Sequence, residues 1–168
     1  MFQNNIHVSQ DVLATKGIRF ANYIVDNIVQ LFLGFVVGVA IALFSELTES
    51  YAIYDTIIES DNKLIDYLFG YIIAFIYYTT IESLTGKSIG KFVTNTKVVT
   101  HQGLKPSFDT ILIRSLCRLI PFDALSFLGT EGKGWHDSLS KTYVVDVKKF
   151  ESKKETELEL NQIGELPE

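Results

Sequence analysis

RFANYIVDNIVQLFLGFVVGVAIALF, residues 19–44, is apolar enough to cross a bilayer, yet it opens on Arg19 and carries Asp26, Asn27 and Gln30 in its first half. From Ile28 to Phe44 no residue is charged. The whole stretch exceeds the roughly 20 residues that about 30 Å of hydrocarbon requires. A chain of 168 residues has room for one domain, and an uncharged run of this length leaves no wet face for a helix of so small a soluble core. A hydrophobic content of 47% and a mean hydropathy of +0.20 are high for a soluble protein of this size. A first membrane helix over about 18–44 is therefore expected. Mostly polar residues precede it, and its apolar part is too long for a cleaved signal peptide, so the helix is expected to remain in the mature chain.

A second window, LIDYLFGYIIAFIYYTTIESL (64–84), keeps its charges near its ends at Asp66 and Glu82. Tyr67, Tyr71, Tyr77 and Tyr78 read as interfacial anchors of a second membrane helix. Charge asymmetry then sets the orientation. Residues 45–63 carry Glu46, Glu49, Asp55, Glu59 and Asp61 against Lys63, whereas Lys16 and Arg19 precede the first helix and Lys87, Lys91, Lys97 and Lys105 follow the second. Lysine and arginine are retained on the cytoplasmic side, which places the N-terminus inside and the loop 45–63 outside.

The third apolar segment, SFDTILIRSLCRLIPFDALSFLG (107–129), contains Arg114, Arg118 and Asp123, with Pro121 near its middle. A simple third span would carry the lysines of the C-terminal region outside, against the charge rule. A broken or re-entrant helix, or one lying along the surface, keeps them inside. TNTKVVTHQGLKPS (94–107) and KTYVVDV (141–147) each contain a β-rich run, and pairing them requires both on one face of the membrane. The fold class is therefore mainly α, with two transmembrane helices, a broken or re-entrant third segment and a small cytoplasmic β-sheet; a three-span chain is the alternative. Residues 1–15 and 149–168 read as flexible tails around a membrane domain at 16–148.

GIRFANYIVDNIV, LTGKSIGKFVTNTKVVTHQGLKPSF, ILIRSLCRLI and GWHDSLSKTYVV stand in an order and spacing that resembles the RDD family of small bacterial membrane proteins, over about residues 14–147. The family's arginine and two aspartates fall on Arg19, Asp26 and Asp137. Where the family usually has a glycine before the first β-run this chain has Asn95, the residue that best replaces glycine at a left-handed position. The resemblance implies a bacterial cytoplasmic (inner) membrane protein. It also implies a transport role, sodium/proton antiport being the concrete form attributed to some members.

On a helix, Asn22, Asp26, Gln30, Gly34, Gly38 and Ala42 recur every four residues and form a slowly drifting stripe, polar in its first half and small in its second. Gly34 and Gly38 would allow close approach of another helix, of this chain or of a second copy. A carboxylate deep in a bilayer costs on the order of 2.5 to 3.5 kcal/mol, so Asp26 should face protein or water. Arg19 lies about 10.5 Å away along the axis, too far for an easy direct bond, which leaves Arg114 and Arg118 as expected partners. The cluster of Arg19, Asn22, Asp26, Gln30, Arg114, Arg118 and Asp137 reads either as a proton or Na⁺ site or as a structural clamp.

Asp137 is expected to cap a short helical turn, His136 beside it invites a proton-relay reading, and Trp135 an anchoring one. Glu82 is expected to be solvated, and Lys87 and Lys91 to meet anionic headgroups. GKSIGK (86–91) lacks the spacing of a P-loop, the three histidines are scattered and Cys117 is alone, so neither nucleotide nor metal nor other cofactor is expected. The net charge of -5 gives no reason to expect nucleic acid, and no nucleophile–base arrangement points to an enzyme. Two helices cannot enclose a pathway, so transport would require a homo-oligomer in the lipid bilayer. A non-transporting module that binds a protein partner or anionic lipid through a basic inner face is the competing function.

Overall fold

The computed structural model describes residues 8–129 and 133–164. Two long helices dominate it. Helix α1 (Lys16–Thr48) starts where the Thr15 side chain accepts from the Ile18 N–H at 3.4 Å and ends at Glu49, which is left-handed with φ 54°. A short helix α2 (Ala52–Ile57) lies in the acidic loop, and α3 (Lys63–Thr85) runs back. The α3 helix is capped by Asn62 at its start and by Gly86 at its end, where φ is 72°, a conformation that glycine adopts without strain. Both long helices are long and apolar enough to cross a membrane, and their apolar windows are almost wholly exposed. Phe32, Phe35 and Leu43 of α1 and Leu64, Ile72 and Ile76 of α3 all point away from the protein.

After α3 the chain forms one turn of helix, α4 (Ile89–Val93), and then strand β1 (Thr96–Thr100). Asn95 between them has φ 53°, the left-handed conformation expected for it. Strand β2 (Thr142–Asp146) pairs antiparallel with β1, setting Thr96 opposite Asp146 and Thr100 opposite Thr142. The expected sheet therefore forms, and its two strands necessarily share one end of the molecule.

The third apolar segment is broken. Helix α5 (Phe108–Cys117) has 10 residues, about 15 Å at 1.5 Å per residue and half of what a span needs, so it cannot be a simple third crossing. It ends ahead of Pro121, which disfavours helical geometry in the residue before it. Phe122 turns left-handed with φ 66°, and the short α6 (Asp123–Ser126) follows. Then comes α7 (Trp135–Leu139). Ile113, Leu116, Phe122, Leu128, Trp135 and Leu139 leave this region with an exposed apolar face.

Both tails depart from the expectation of flexibility. Val8, Val12, Val99, Val145 and Phe150 form a small buried core, Ala14 N–H donates to Val144 O at 2.9 Å, and Leu13 bridges to Val145. The C-terminal region is helix α8 (Val147–Gly164), anchored by Phe150. Charge-rich segments of this kind hide their few apolar residues in a mixed composition, and only the sheet shows that Val12 and Phe150 have a surface to cover. Residues 1–7 and 165–168 of the expected tails lie outside the described residues. Because residues 8–14 join the sheet formed after α3, the start of α1 and the end of α3 lie at the same end of the molecule. That arrangement requires an out-and-back pair of helices.

Gly90 sets the closest approach between α1 and α4. A Cβ there would meet the Asn22 carbonyl oxygen at 2.4 Å, whereas one on Gly70 would meet nothing within 4 Å. Gly90→Ala should therefore lower the thermal midpoint of the detergent-solubilised chain strongly or prevent folding, while Gly70→Ala should leave it equal or higher. Equal midpoints for the two variants would show that the α1–α4 contact is not tight.

Candidate functional site

The site is a buried polar core at the junction of the two long helices with the sheet and α5–α7. Two acceptor centres organise it. The first is Asp26 on α1, 2% exposed. The Tyr77 hydroxyl donates to its Oδ1 at 2.7 Å and the Gly90 N–H at 2.7 Å, while Ser88 Oγ donates to Oδ2 at 2.6 Å and the Tyr78 hydroxyl at 3.4 Å. All four donors are neutral. Among the described residues no cationic side chain bonds Asp26, so the expected pairing with Arg114 or Arg118 is not formed.

Those arginines are occupied elsewhere. Glu82, expected to be solvated, is 0% exposed and is the second centre. Its Oε1 accepts from Lys91 Nζ at 2.7 Å and from Arg118 Nη2 at 3.2 Å, and its Oε2 from Arg114 Nε at 3.1 Å. Arg114 continues to Asp137 Oδ1 and to Thr142 Oγ1, the latter at 2.8 Å. Arg19 reaches Asp137 Oδ2, which also accepts from the Gly134 N–H at 3.0 Å. Asp137 thus caps α7 as expected, but it also joins two arginines from α1 and α5. Arg19 and Asp26, which share a face of α1, serve different partners.

Several side chains were read in isolation and depart from their expected places for one reason. The buried acceptors at the inner end of α3 need donors, and the nearest donors are these residues. Lys91 is buried against Glu82, with Ser88 Oγ at 3.2 Å, and is not at headgroups. Tyr77 and Tyr78 turn inward to Asp26 instead of anchoring at an interface. Tyr78 also lies under Arg118, 3.7 Å from guanidinium carbon to ring centroid. Asn22 bonds Thr94 and Thr96, the latter at 3.1 Å, fastening α1 to the start of β1. Gln30 is half-buried further along α1. A Cβ added at Gly34 would lie 3.6 Å from Ile73 of α3 and one at Gly38 3.7 Å from Ile58, so both glycines face this chain's own elements.

His136 stands between two carboxylates, with its Nε2 3.5 Å from Asp137 Oδ1. Its N–H and Nδ1 both face Asp123, at 2.8 Å and 2.6 Å, an arrangement that assigns the Nδ1–H tautomer to the neutral ring. Burial pushes the imidazole down to about 4, with Arg118 and Arg114 acting in the same direction. Burial alone would raise the Asp137 carboxyl, but Arg114 and Arg19 hold it well below the usual carboxylate range. Burial lowers Lys91, and Glu82 opposes the shift.

Two hollows adjoin this core. A cavity of about 40 Å³ is bounded by residues including Arg19, Asp26, Lys91, Arg114 and Arg118. A cleft of about 710 Å³ runs between α1 and α3, with Asn27, Gln30, Gly34, Asp66 and Tyr71 among its walls. Tyr23, Tyr78 and Arg118 belong to both. The sequence offered one signal for the residues it failed to place: Ser88, Gly90 and Lys91 all lie in GKSIGK, the small-residue and lysine stretch directly after the second helix.

The model of the RDD family matches residues 13–144, and the chain belongs to that family. No curated protein and no solved structure gives a significant match.

Glu82→Gln should cost about 3 to 5 kcal/mol, because Lys91, Arg114 and Arg118 lose a charged partner that is fully buried. A change below about 0.5 kcal/mol in denaturant unfolding would return Glu82 to the solvent. Acid should destabilise the fold in two stages. Between pH 6.5 and pH 4 the unfolded chain protonates His136 while the folded chain keeps it neutral, a loss on the order of 3 kcal/mol. Below pH 3.8 the depressed Asp137 carboxyl extends the loss. In His136→Asn the first stage should flatten and the second remain, read from thermal midpoints across pH; an unchanged first stage would assign it to other groups.

Proposed function

We propose that this RDD family protein spans the bacterial cytoplasmic membrane twice and moves protons in exchange for a small cation, with Asp26 taking and releasing the proton. The exposed apolar faces of α1 and α3 support insertion, since bilayer hydrocarbon covers them without any need for a wet face. The lysines and arginines at the sheet end support an orientation with that end inside and the acidic loop outside. On this reading the exposed apolar face of α5–α7 lies along the inner surface of the bilayer.

Asp26 carries the transport reading. It is buried, held only by neutral donors, and one hydrogen bond, through Tyr78, from the place where the cleft meets the inner cavity. A carboxylate clamped by an arginine would be locked in its charged form; one held by hydroxyls and an amide can accept a proton by giving up those bonds. Protonation weakens the hold of Tyr77, Tyr78, Ser88 and Gly90 on α1, which couples the proton to the packing of α1 on α3 and α4. Each Asp26 oxygen already accepts two hydrogen bonds, so the metal cation sits better in the cleft, where Asp66, Asn27 and Gln30 offer oxygens. The cleft is open along one side, and a second copy of the chain would close it. We assign no enzymatic reaction and no cofactor. The competing module, which would bind a partner or anionic lipid through a basic inner face, has fewer free cations to work with: Lys91 is buried on Glu82, and Lys97 pairs with Glu151.

Proteoliposomes with an internal pH dye test the proposal. Adding Na⁺, Li⁺ or K⁺ outside should change the internal pH with the native chain, and the change should fall to the protein-free level in a folded Asp26→Asn variant. No cation-dependent change from folded, oriented native protein overturns the exchange reading and favours the binding module.

A further inference from the structure

Three buried guanidinium nitrogens have no acceptor among the described residues: Arg19 Nε, Arg114 Nη2 and Arg118 Nε. Leaving such a group unpaired costs about 1 to 3 kcal/mol, and more where it is charged. The carboxylates nearby are already engaged. Both oxygens of Asp26, Glu82 and Asp137 already accept hydrogen bonds, and both oxygens of Asp123 face His136. The three arginines are also walls of the 40 Å³ cavity, as is Lys91, whose Nζ uses two of its three donors on Glu82 and Ser88. Four cationic side chains therefore border this cavity against one bordering carboxylate, Asp26, which is already covered by four donors.

We propose that the cavity binds a small monovalent anion of the size of chloride. An acceptor from outside the chain is what the unpaired donors lack, and a negative one complements the charge of the walls. The volume admits a monatomic ion or about three to four waters, given the roughly 10 to 15 Å³ that each water needs, and is too small for a phosphate-sized group with its hydration. The bound anion bridges Arg19 of α1 to Arg114 of α5 and to Arg118 just after it, so it stiffens the joint between the membrane helices and the inner platform. Binding is a property of the folded chain in detergent and does not depend on the transport reading.

The test compares thermal midpoints of the full chain in detergent in sodium chloride and in sodium gluconate at equal ionic strength. Chloride should raise the midpoint saturably, by on the order of 5 °C at saturation, and broaden the ³⁵Cl resonance of added chloride. Val144 is also a wall of the cavity and carries no charge, so Val144→Leu should fill the space and remove the chloride effect while keeping the gluconate midpoint. If that variant does not fold, Arg118→Gln serves instead and should raise the half-saturating chloride concentration about tenfold, the loss of one charged donor. Coincident midpoints in the two salts, or a chloride effect unchanged in the variant, would mean that the cavity holds only water and would overturn the proposal.

Discussion

Arg114 has no exposed surface, and its guanidinium must be matched wherever α5 comes to rest. It is matched by Glu82 from the inner end of α3 on one side and by Asp137 from α7 on the other. A buried charge left alone is costly enough to forbid most other placements of these elements, so this pair of ion bonds fixes α3, α5 and α7 relative to one another. Arg19 then ties α1 to the same Asp137, and Lys91 ties α4 to the same Glu82. Two carboxylates thus gather the inner ends of both long helices and the platform beneath them.

Asp26 stands apart from this charge network and touches it through neutral side chains, Ser88 and Tyr78, the latter with its ring under Arg118. Ser88 Oγ donates to Asp26 and lies 3.2 Å from Lys91 Nζ, which in turn rests on Glu82. The ion pairs of Glu82 and Asp137 do not use Asp26, and the hydrogen bonds of Asp26 do not use the arginines. Two of the four donors on Asp26 come from adjacent tyrosines of α3, and the other two from the segment that follows α3. The site is therefore assembled from α1 and from the exit of α3, and its geometry follows their packing.

The small sheet performs a similar service with apolar contacts. Val99 and Val145 supply a buried surface that residues 8–14 and α8 complete. Pairing of the N-terminal residues with β2 closes the chain on itself at the inner end, and it holds Thr96 and Thr142 where they meet Asn22 and Arg114.

The two long helices are legible in the residues because uninterrupted hydrophobicity has few other uses, and so is the β-pairing with its left-handed Asn95, because strand and turn preferences are local. Arg19, Asp26, Arg114 and Arg118 stand out as ionisable groups in apolar stretches, whereas Asp137, in a polar stretch, is marked by the RDD resemblance. Which charge meets which was decided only by tertiary structure. Glu82 looked like a solvated helix end and Lys91 a surface cation because each was judged against its neighbours in the chain, whereas their burial depends on α5 and α4 folding over the end of α3. Asp26 was assigned arginine partners because arginines were the available cations; in space, two tyrosines, a serine and a backbone amide reach it first, and Glu82 and Asp137 take the arginines. The ion pairs that Glu82 and Asp137 make with lysine and arginine join residues 9 to 118 positions apart, and a spacing rule that works within one helix carries no information about them.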